Sequence, residues 1–444
     1  MKHYFYPLFA LFCLLGCAQP NPISHIAVSQ TNNTYVLTKD GEEYQVKGAG
    51  LNTIDENKIR DLKLAGGNTF RTWSTQNAKT HLTLAQKYDL MVLMGIDLKK
   101  ELHGFDYNDE IAVEAQFESV KNQILAFKDH PNLLGWIVAN EPNLLFDENG
   151  QLIDVNPKVY DAISQITAFI HENDGNHPVT YSFAGVNESH IKTALARTPN
   201  IDFISVQVYG ELNDVNDAIV KLDIDKPFMV TEFGPTGHWE VPTTEWGREI
   251  EEPSGVKANR LAQRLDSTFL TNPTNKNIGH FVFYWGQKQE RTPTWYGIYN
   301  KDGNANARLD EMARFWQGNY PVNRAPSVSR ITLDGVSPES SLRVTPNQRV
   351  NIRVEFVDPN NDEVSFRWAV LKEVKERSQG GAFELEPEEL AVTIQKQRRK
   401  ISSAGSSVSA EMIAPDAKGE YRLFFYCFDN NGKVGNANFP FYVE

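Results

Sequence analysis

From about residue 46 to residue 317, short apolar runs rich in β-branched and aromatic residues alternate with longer segments whose apolar positions recur at i, i+3 and i+4. That alternation predicts a parallel sheet wrapped by helices. Eight runs read as strands: Val46 to Leu51, Asn68 to Trp73, Leu90 to Ile96, Leu133 to Ala139, Val179 to Phe183, Phe203 to Val208, Phe228 to Glu232 and His280 to Trp285. Helical spacing is clearest in Ile111 to Phe127, Val159 to Ile170 and Ala258 to Leu270. Eight β/α units in a stretch of this length predict a (β/α)8 TIM barrel, which typically needs about 250 residues. An open doubly wound sheet is the alternative, but Gly48-Ala49-Gly50-Leu51-Asn52 lacks the third glycine and the immediate helix of a dinucleotide loop.

Both flanks have a different texture. Gly318 to Pro326 is rich in turn formers and reads as a linker. Beyond it, Val350 to Phe356, Glu363 to Ala369 and Tyr421 to Phe428 are strand-like and are broken by Asp358-Pro359-Asn360-Asn361-Asp362 and Asn430-Asn431-Gly432. The expected order is a barrel over 34–320, then an all-β sandwich over 326–444 with a charged excursion from Glu376 to Lys400. Ahead of the barrel, Tyr35 to Thr38 and Tyr44 to Lys47 around Asp40-Gly41 predict a hairpin. Residues 17–33 read as a polar tether. Lys2 and His3 precede an apolar run from Tyr4 to Leu15, too short for the roughly 20 residues of a spanning helix, so residues 1–16 read as a secretory signal.

Charge and cysteine usage narrow the classes. Lys plus Arg total 44 against 57 Asp plus Glu, a net charge of -13 that opposes binding to a phosphate backbone and excludes nucleic acid as an expected partner. Hydrophobic residues at 41% and charged residues at 23% supply a sizeable core without suggesting disorder. Leu14-Leu15-Gly16-Cys17 resembles the lipobox of bacterial lipoproteins, which implies lipidation of Cys17, a membrane anchor and display in the bacterial cell envelope, on the periplasmic face or the cell surface. Cys13 would leave with the signal, so Cys427 is the one free thiol of the mature chain, with no disulfide and no cysteine metal site. Its apolar run makes it a core residue.

In a barrel of this type the chemistry sits at the C-terminal ends of the strands. Trp136-Ile137-Val138-Ala139-Asn140-Glu141-Pro142 places Glu141 at the end of the fourth strand, and Met229-Val230-Thr231-Glu232-Phe233-Gly234-Pro235 places Glu232 at the end of the seventh. Two carboxylates across one mouth are what glycosidic cleavage needs: one protonates the leaving oxygen while the other attacks or activates water.

Asn-Glu-Pro after strand four and Thr-Glu-Phe-Gly after strand seven resemble the signatures of clan A glycoside hydrolases, and the barrel most resembles the catalytic domain of glycoside hydrolase family 2. The resemblance covers residues 46 to 317. It implies that Glu141 is the acid/base, Glu232 the nucleophile of a retaining mechanism, and Asn140 a partner of the sugar 2-OH. It further implies that Arg71 holds the nucleophile ionised, that Tyr209 hydrogen-bonds it, and that Trp285 forms an aromatic floor under the sugar. Gln207 departs from the His or Asn of many clan members. Trp73, Trp239 and Trp295 join the expected substrate contacts, and the segment Gly237 to Val256, with Trp246, Glu240, Glu245, Glu249 and Glu251, reads as a cleft wall.

That acidic wall favours a neutral polysaccharide or oligosaccharide substrate. Only about thirty residues separate Cys17 from strand one, whereas full family 2 enzymes place β-domains there, so the expectation is an endo-β-glucanase of the β-1,3 type. An exo-acting β-glycosidase, a transglycosylase and a non-catalytic glycan-binding lipoprotein are the alternatives. No cofactor is implied. His103, His238 and His280 lack the paired spacing of a zinc site, so no metal is expected. The tail resembles immunoglobulin-like or PKD modules, some of which bind calcium through an Asp-rich turn; here a simple polar turn is expected and the tail is read as a brace.

Overall fold

The alternation of short apolar runs with amphipathic segments closes on itself. In the computed structural model, which describes residues 22–402 and 405–444, eight parallel strands follow chain order around a barrel. They are β1 (Val46–Gly50), β2 (Thr69–Arg71), β3 (Met91–Ile96), β4 (Leu133–Asn140), β5 (Val179–Ala184), β6 (Ile204–Gln207), β7 (Phe228–Phe233) and β8 (Asn277–Val282). β8 pairs with β7 on one side and β1 on the other, so the barrel leaves no edge strand. The helices that follow the strands are α1 (Glu56–Leu64), α2 (Ala78–Tyr88), α3 (Glu110–Phe127), α4 (Lys158–Asn173), α5 (Glu188–Arg197), α6 (Val215–Lys221), α7 (Ser254–Leu265) and α8 (Ala307–Gln317). In α4 the buried positions Val159, Ile163, Ile166 and Ile170 make one stripe. Each such side chain taken from water is worth about 1.5–3 kcal/mol, which decides the face the helix turns inward. Asp109 starts α3 by accepting from the backbone N–H of Ile111 and Ala112, and Gly318, at φ +80°, ends α8.

Two expectations are corrected at the ends of the barrel. β8 begins three residues earlier than its sequence suggested and ends at Val282. Residues 26–33, expected as tether, instead open a three-stranded antiparallel sheet, Ile26–Thr31, Thr34–Lys39 and Glu42–Glu43. It covers the N-terminal face of the barrel through Ile26 N–H to Asn176 O and Tyr35 N–H to Asn275 O, both 2.8 Å. Ile26 and Leu37 pack there with Val46, Met91, Phe203 and Phe281. The signal segment and Cys17 lie outside the described residues.

The C-terminal region forms two stacked sheets. One has β9 (Ser327–Leu333), β11 (Arg349–Val357), β15 (Gly405–Ile413) and β14 (Ile394–Ser402) in that order. The other runs β10 (Arg343–Val344), β17 (Val434–Val443), β16 (Gly419–Phe428), β12 (Ser365–Lys372) and β13 (Glu389–Leu390). Alternation along β11 buries Val350, Ile352, Val354 and Phe356 between them. Cys427 is fully buried in this core, where desolvation pushes its thiol up to about 12.

The sandwich docks tightly on α7 and α8. A Cβ on Gly255 would stand 2.2 Å from Ser327 Oγ and 2.7 Å from Val328 O, so only glycine lets α7 approach β9. Around that contact lie buried charges with partners from both domains. Glu251 meets Lys257 Nζ at 2.5 Å and accepts from Asn438 Nδ2 at 2.5 Å. Arg422 Nη2 donates to Glu249 O at 2.9 Å, and Lys433 Nζ meets Asp310 at 2.5 Å. Trp246 rests on the Tyr442 ring, 5.7 Å between centroids. The segment 237–256, expected wholly as a cleft wall, is therefore divided: His238, Trp239 and Glu240 face the cleft, while Trp246, Glu249 and Glu251 face the sandwich.

Candidate active site

Glu141 and Glu232 line one cavity of about 1230 Å³ at the C-terminal mouth of the barrel. Both stand where their strand breaks register. β4 slips against β5 between Ile137 and Asn140, and Ala139 and Glu141 take positive φ values of 69° and 51° on either side of Asn140. β7 slips against β6 between Val230 and Glu232. Such irregularities turn a strand-end side chain from the regular pleat toward the mouth, at a local conformational cost.

Glu232 is clasped by donors. Trp73 Nε1 donates to Oε1 at 2.8 Å, Tyr209 Oη donates to Oε2 at 2.9 Å, and Arg71 Nη1 stands 3.3 Å from Oε1. Arg71 is itself fully buried, with Nη1 also donating to Thr231 O at 3.1 Å and the guanidinium 4.7 Å over the Trp73 ring. A guanidinium stays charged in proteins, so a permanent cation and two neutral donors face the Glu232 side-chain oxygens. Burial, reinforced by the Glu232 charge, holds the Tyr209 phenol far above its ordinary range, so it remains a donor.

Glu141 has the opposite surroundings. Burial pushes its carboxyl up to about 7; the Glu232 charge adds to this, and the Lys100 ammonium, 3.8 Å away, opposes it. A carboxyl so placed can hold or release a proton near neutral pH.

Asn140 is fixed between them. Its Oδ1 accepts from Arg71 Nη2 at 3.0 Å, Gln207 Nε2 at 2.6 Å and Ser182 Oγ at 3.2 Å. Three donors on the oxygen settle the orientation of the amide, and Nδ2 is left beside Glu141 Oε2 at 3.4 Å, facing the cavity. Gln207, whose place in the site the sequence did not settle, also donates to Ser182 Oγ at 2.9 Å and keeps a buried Oε1 without a partner at the cavity wall.

The aromatic expectations divide. Trp239 lines the cavity, is 60% exposed, and packs edge-on against Tyr209 with centroids 5.3 Å apart. Trp285 and Trp295 are corrected: neither lines the cavity. Because β8 ends at Val282, Trp285 falls behind the barrel, fully buried against Tyr299 and Trp316 with Nε1 donating to Lys58 O at 2.8 Å. Trp295 is 1% exposed and donates to Thr236 O at 3.0 Å. Phe283 and Tyr284, just past β8, are the cavity aromatics that the misplaced strand end concealed. His280 accepts from Trp316 Nε1 at 3.0 Å and is held neutral by burial, its pKa pushed down to about 3. His103 and His238 line the cavity, and among the described residues no His, Cys, Asp and Glu are grouped to hold a metal ion.

A closed parallel barrel that brings two glutamates, from the ends of β4 and β7, into one cavity is the arrangement that glycosidic cleavage requires. Residues 42–239 match the family described as glycosyl hydrolases family 2, TIM barrel domain. No curated protein sequence matches the chain. Among solved structures, the chain superposes on a Bacteroides uniformis β-glucuronidase at a TM-score of 0.52 and 14% identity, over 94% of this chain and 48% of that one. Bacteroides uniformis β-glucuronidase 2, covalently bound to cyclophellitol-6-carboxylate aziridine, gives 0.52 and 13% over the same shares. A Ruminococcus gnavus β-glucuronidase gives 0.50 and 16%, over 67% of this chain and 53% of that one. The chain spans about half the length of these structures, and likeness at this identity concerns the fold.

Proposed function

We propose that the barrel is a retaining β-glycosidase. Glu232 attacks the anomeric carbon as Glu141 gives its proton to the departing glycosidic oxygen, leaving a glycosyl ester on Glu232. Glu141, now a carboxylate, then takes a proton from water, which attacks the same carbon and frees Glu232. The observation that carries this reading is the contrast between the two carboxyls: one faces Arg71, Trp73 and Tyr209, and the other is held protonated up to about pH 7 by burial. Asn140 Nδ2, beside Glu141 Oε2, supplies a donor for a sugar hydroxyl.

The cavity exceeds the roughly 300–1,000 Å³ usual for a small-molecule site, which suits an oligosaccharide or the end of a longer glycan. The endo-β-1,3-glucanase expectation finds no support among the similar proteins. The preference for a neutral sugar rested on an acidic wall, most of which faces the sandwich. A uronic sugar is the second reading, favoured by Lys99, Lys100 and His103 on one side of the cavity and by the structural relatives being β-glucuronidases. Aryl β-glucosides, β-mannosides, β-galactosides and β-glucuronides, assayed beside acceptor oligosaccharides, choose between the sugars and separate hydrolysis from transfer. A cyclophellitol-type aziridine of the preferred sugar should label Glu232 by mass spectrometry; labelling elsewhere, or turnover with inversion at the anomeric carbon, rejects the mechanism.

Anchoring at Cys17 is proposed from Leu14-Leu15-Gly16-Cys17. Loss of lipid incorporation and membrane recovery in Cys17→Ser tests it. The immunoglobulin-like affiliation of the tail is proposed from its two stacked sheets.

A further inference from the structure

The connection between β12 and β13, residues 373–388, is the long loop of a hairpin whose bases are paired through Leu371 and Glu389. It leaves the sandwich and runs across the barrel mouth. Its course is built rather than loose. Glu384, 3% exposed, accepts from Arg291 N–H at 2.6 Å and pairs with the Arg291 guanidinium, and it also accepts from Ser378 N–H at 2.9 Å. Arg291 Nη1 donates to Ser378 O at 3.0 Å and Lys288 Nζ to Gly381 O at 2.8 Å, which ties the loop to the segment after β8. On its other side, a Cβ on Gly380 would stand 3.1 Å from Leu144 and 3.2 Å from Leu102, which follow β4 and β3. Gly380 and Gly381 both have positive φ, 61° and 71°, a backbone conformation that favours glycine, and at Gly380 the absent side chain also admits the close approach to the two leucines. Residues 378–382 thus line the same cavity as Glu141 and Glu232.

β8 and β3 are not neighbours; β1 and β2 lie between them, and the segment that reaches from one to the other closes that side of the mouth. The opposite side, with Trp239 and Glu211, carries no such cover among the cavity-lining residues. We propose that residues 378–382 of the sandwich are a wall of the glycan site and set the length and branching of the glycan that reaches the two glutamates. The inference rests on the β-glycosidase reading above and adds to it the specificity-determining element. The tail on this view is more than a brace, because part of the substrate surface belongs to it.

The test compares kcat/KM for a β-linked oligosaccharide series and a branched β-glycan with kcat/KM for the aryl β-glycoside of the same sugar. In a full-length variant with residues 376–386 replaced by Gly-Ser-Gly-Ser, the ratio of long or branched to aryl substrate should rise at least tenfold. Ala382→Trp, which adds bulk to the wall without removing an anchor, should lower the same ratio at least fivefold and covers the case in which the shortened loop fails to fold. Ratios within twofold of wild type in folded Ala382→Trp overturn the proposal. Absence of turnover on every glycoside counts against the β-glycosidase reading instead. In that event, hydrogen exchange with the oligosaccharide series decides the wall on its own: protection of residues 378–382 supports it, and unchanged exchange with bound oligosaccharide rejects it.

Discussion

The ends of β4 and β7 carry the same side chain in surroundings of opposite character. At the end of β7, Glu232 meets a buried guanidinium, an indole N–H and a phenol. At the end of β4, Glu141 meets burial and one ammonium 3.8 Å away. The first setting supplies three donors to the carboxyl oxygens, whereas in the second burial pushes the carboxyl up to about 7, so one residue type meets two environments through what the fold packs around each. The difference originates on other strands: Arg71 and Trp73 come from the end of β2, across the barrel, and Tyr209 from just after the adjacent β6, and all three converge on β7.

The largest effect that can break this comparison is loss of the attacking group. Glu232→Ala should lower kcat by at least about 10⁴-fold on every substrate, because no other carboxylate shares those three donors. Retention of more than a hundredth of wild-type activity would place the nucleophile elsewhere.

Removal of the proton donor should be selective. Glu141→Gln is expected to cost about 10²–10⁴-fold in kcat on unactivated glycosides and much less on aryl glycosides whose leaving group needs no proton. The sign of the pH dependence follows from the protonated form being active. In wild type, kcat/KM should fall as pH rises through about 7, the value to which burial pushes Glu141, and this alkaline limb should vanish in Glu141→Gln. A limb that persists in the variant belongs to another group and would dissolve the assigned contrast.

Tyr209→Phe removes one neutral donor and leaves Arg71 and Trp73 in place. A loss of about 10²-fold or less in kcat, with KM little changed, is expected if the phenol acts on the nucleophile alone. A rise in KM with kcat intact would instead make Tyr209 a sugar contact.

Much of this site was legible because strand-end chemistry leaves short local signals. Asn140-Glu141, Glu232, Arg71, Trp73 and Tyr209 all follow apolar runs that could be recognised one at a time, and the barrel brings them into one cavity or its wall. The aromatic floor was not legible in the same way. The run through Phe281-Val282-Phe283-Tyr284-Trp285 continues past the true end of β8, so periodicity gave no sign that Trp285 turns outward. Trp246, Glu249 and Glu251 were read against solvent and sugar because their partners Tyr442, Arg422 and Asn438 lie far along the chain. The charged excursion expected from Glu376 to Lys400 proved to be part loop and part strand, with β13 and most of β14 in its second half; Gly380-Gly381 in its first half was the signal of a close approach, but nothing in the sequence named the surface approached.

The smallest predicted effect probes the burial of Glu141 without using catalysis. Its pKa in the fold, about 7, lies above the ordinary carboxyl value of 4.5, so the folded chain binds this proton more tightly than the unfolded chain does. The stability contributed by the protonated carboxyl is fully present below about pH 4.5 and is lost as pH rises through 7, where the fold must hold a poorly solvated carboxylate. Gln has no proton to lose. Glu141→Gln should therefore melt close to wild type at pH 5 and above it at pH 8; the shift from 4.5 to about 7 sets a ceiling of about 3 kcal/mol, or a few degrees in a chain of this size. A melting difference that stays flat between pH 5 and 8 would mean that Lys100 and solvent already satisfy the carboxylate, and the two glutamates would then have to be told apart by the Glu232 clasp alone.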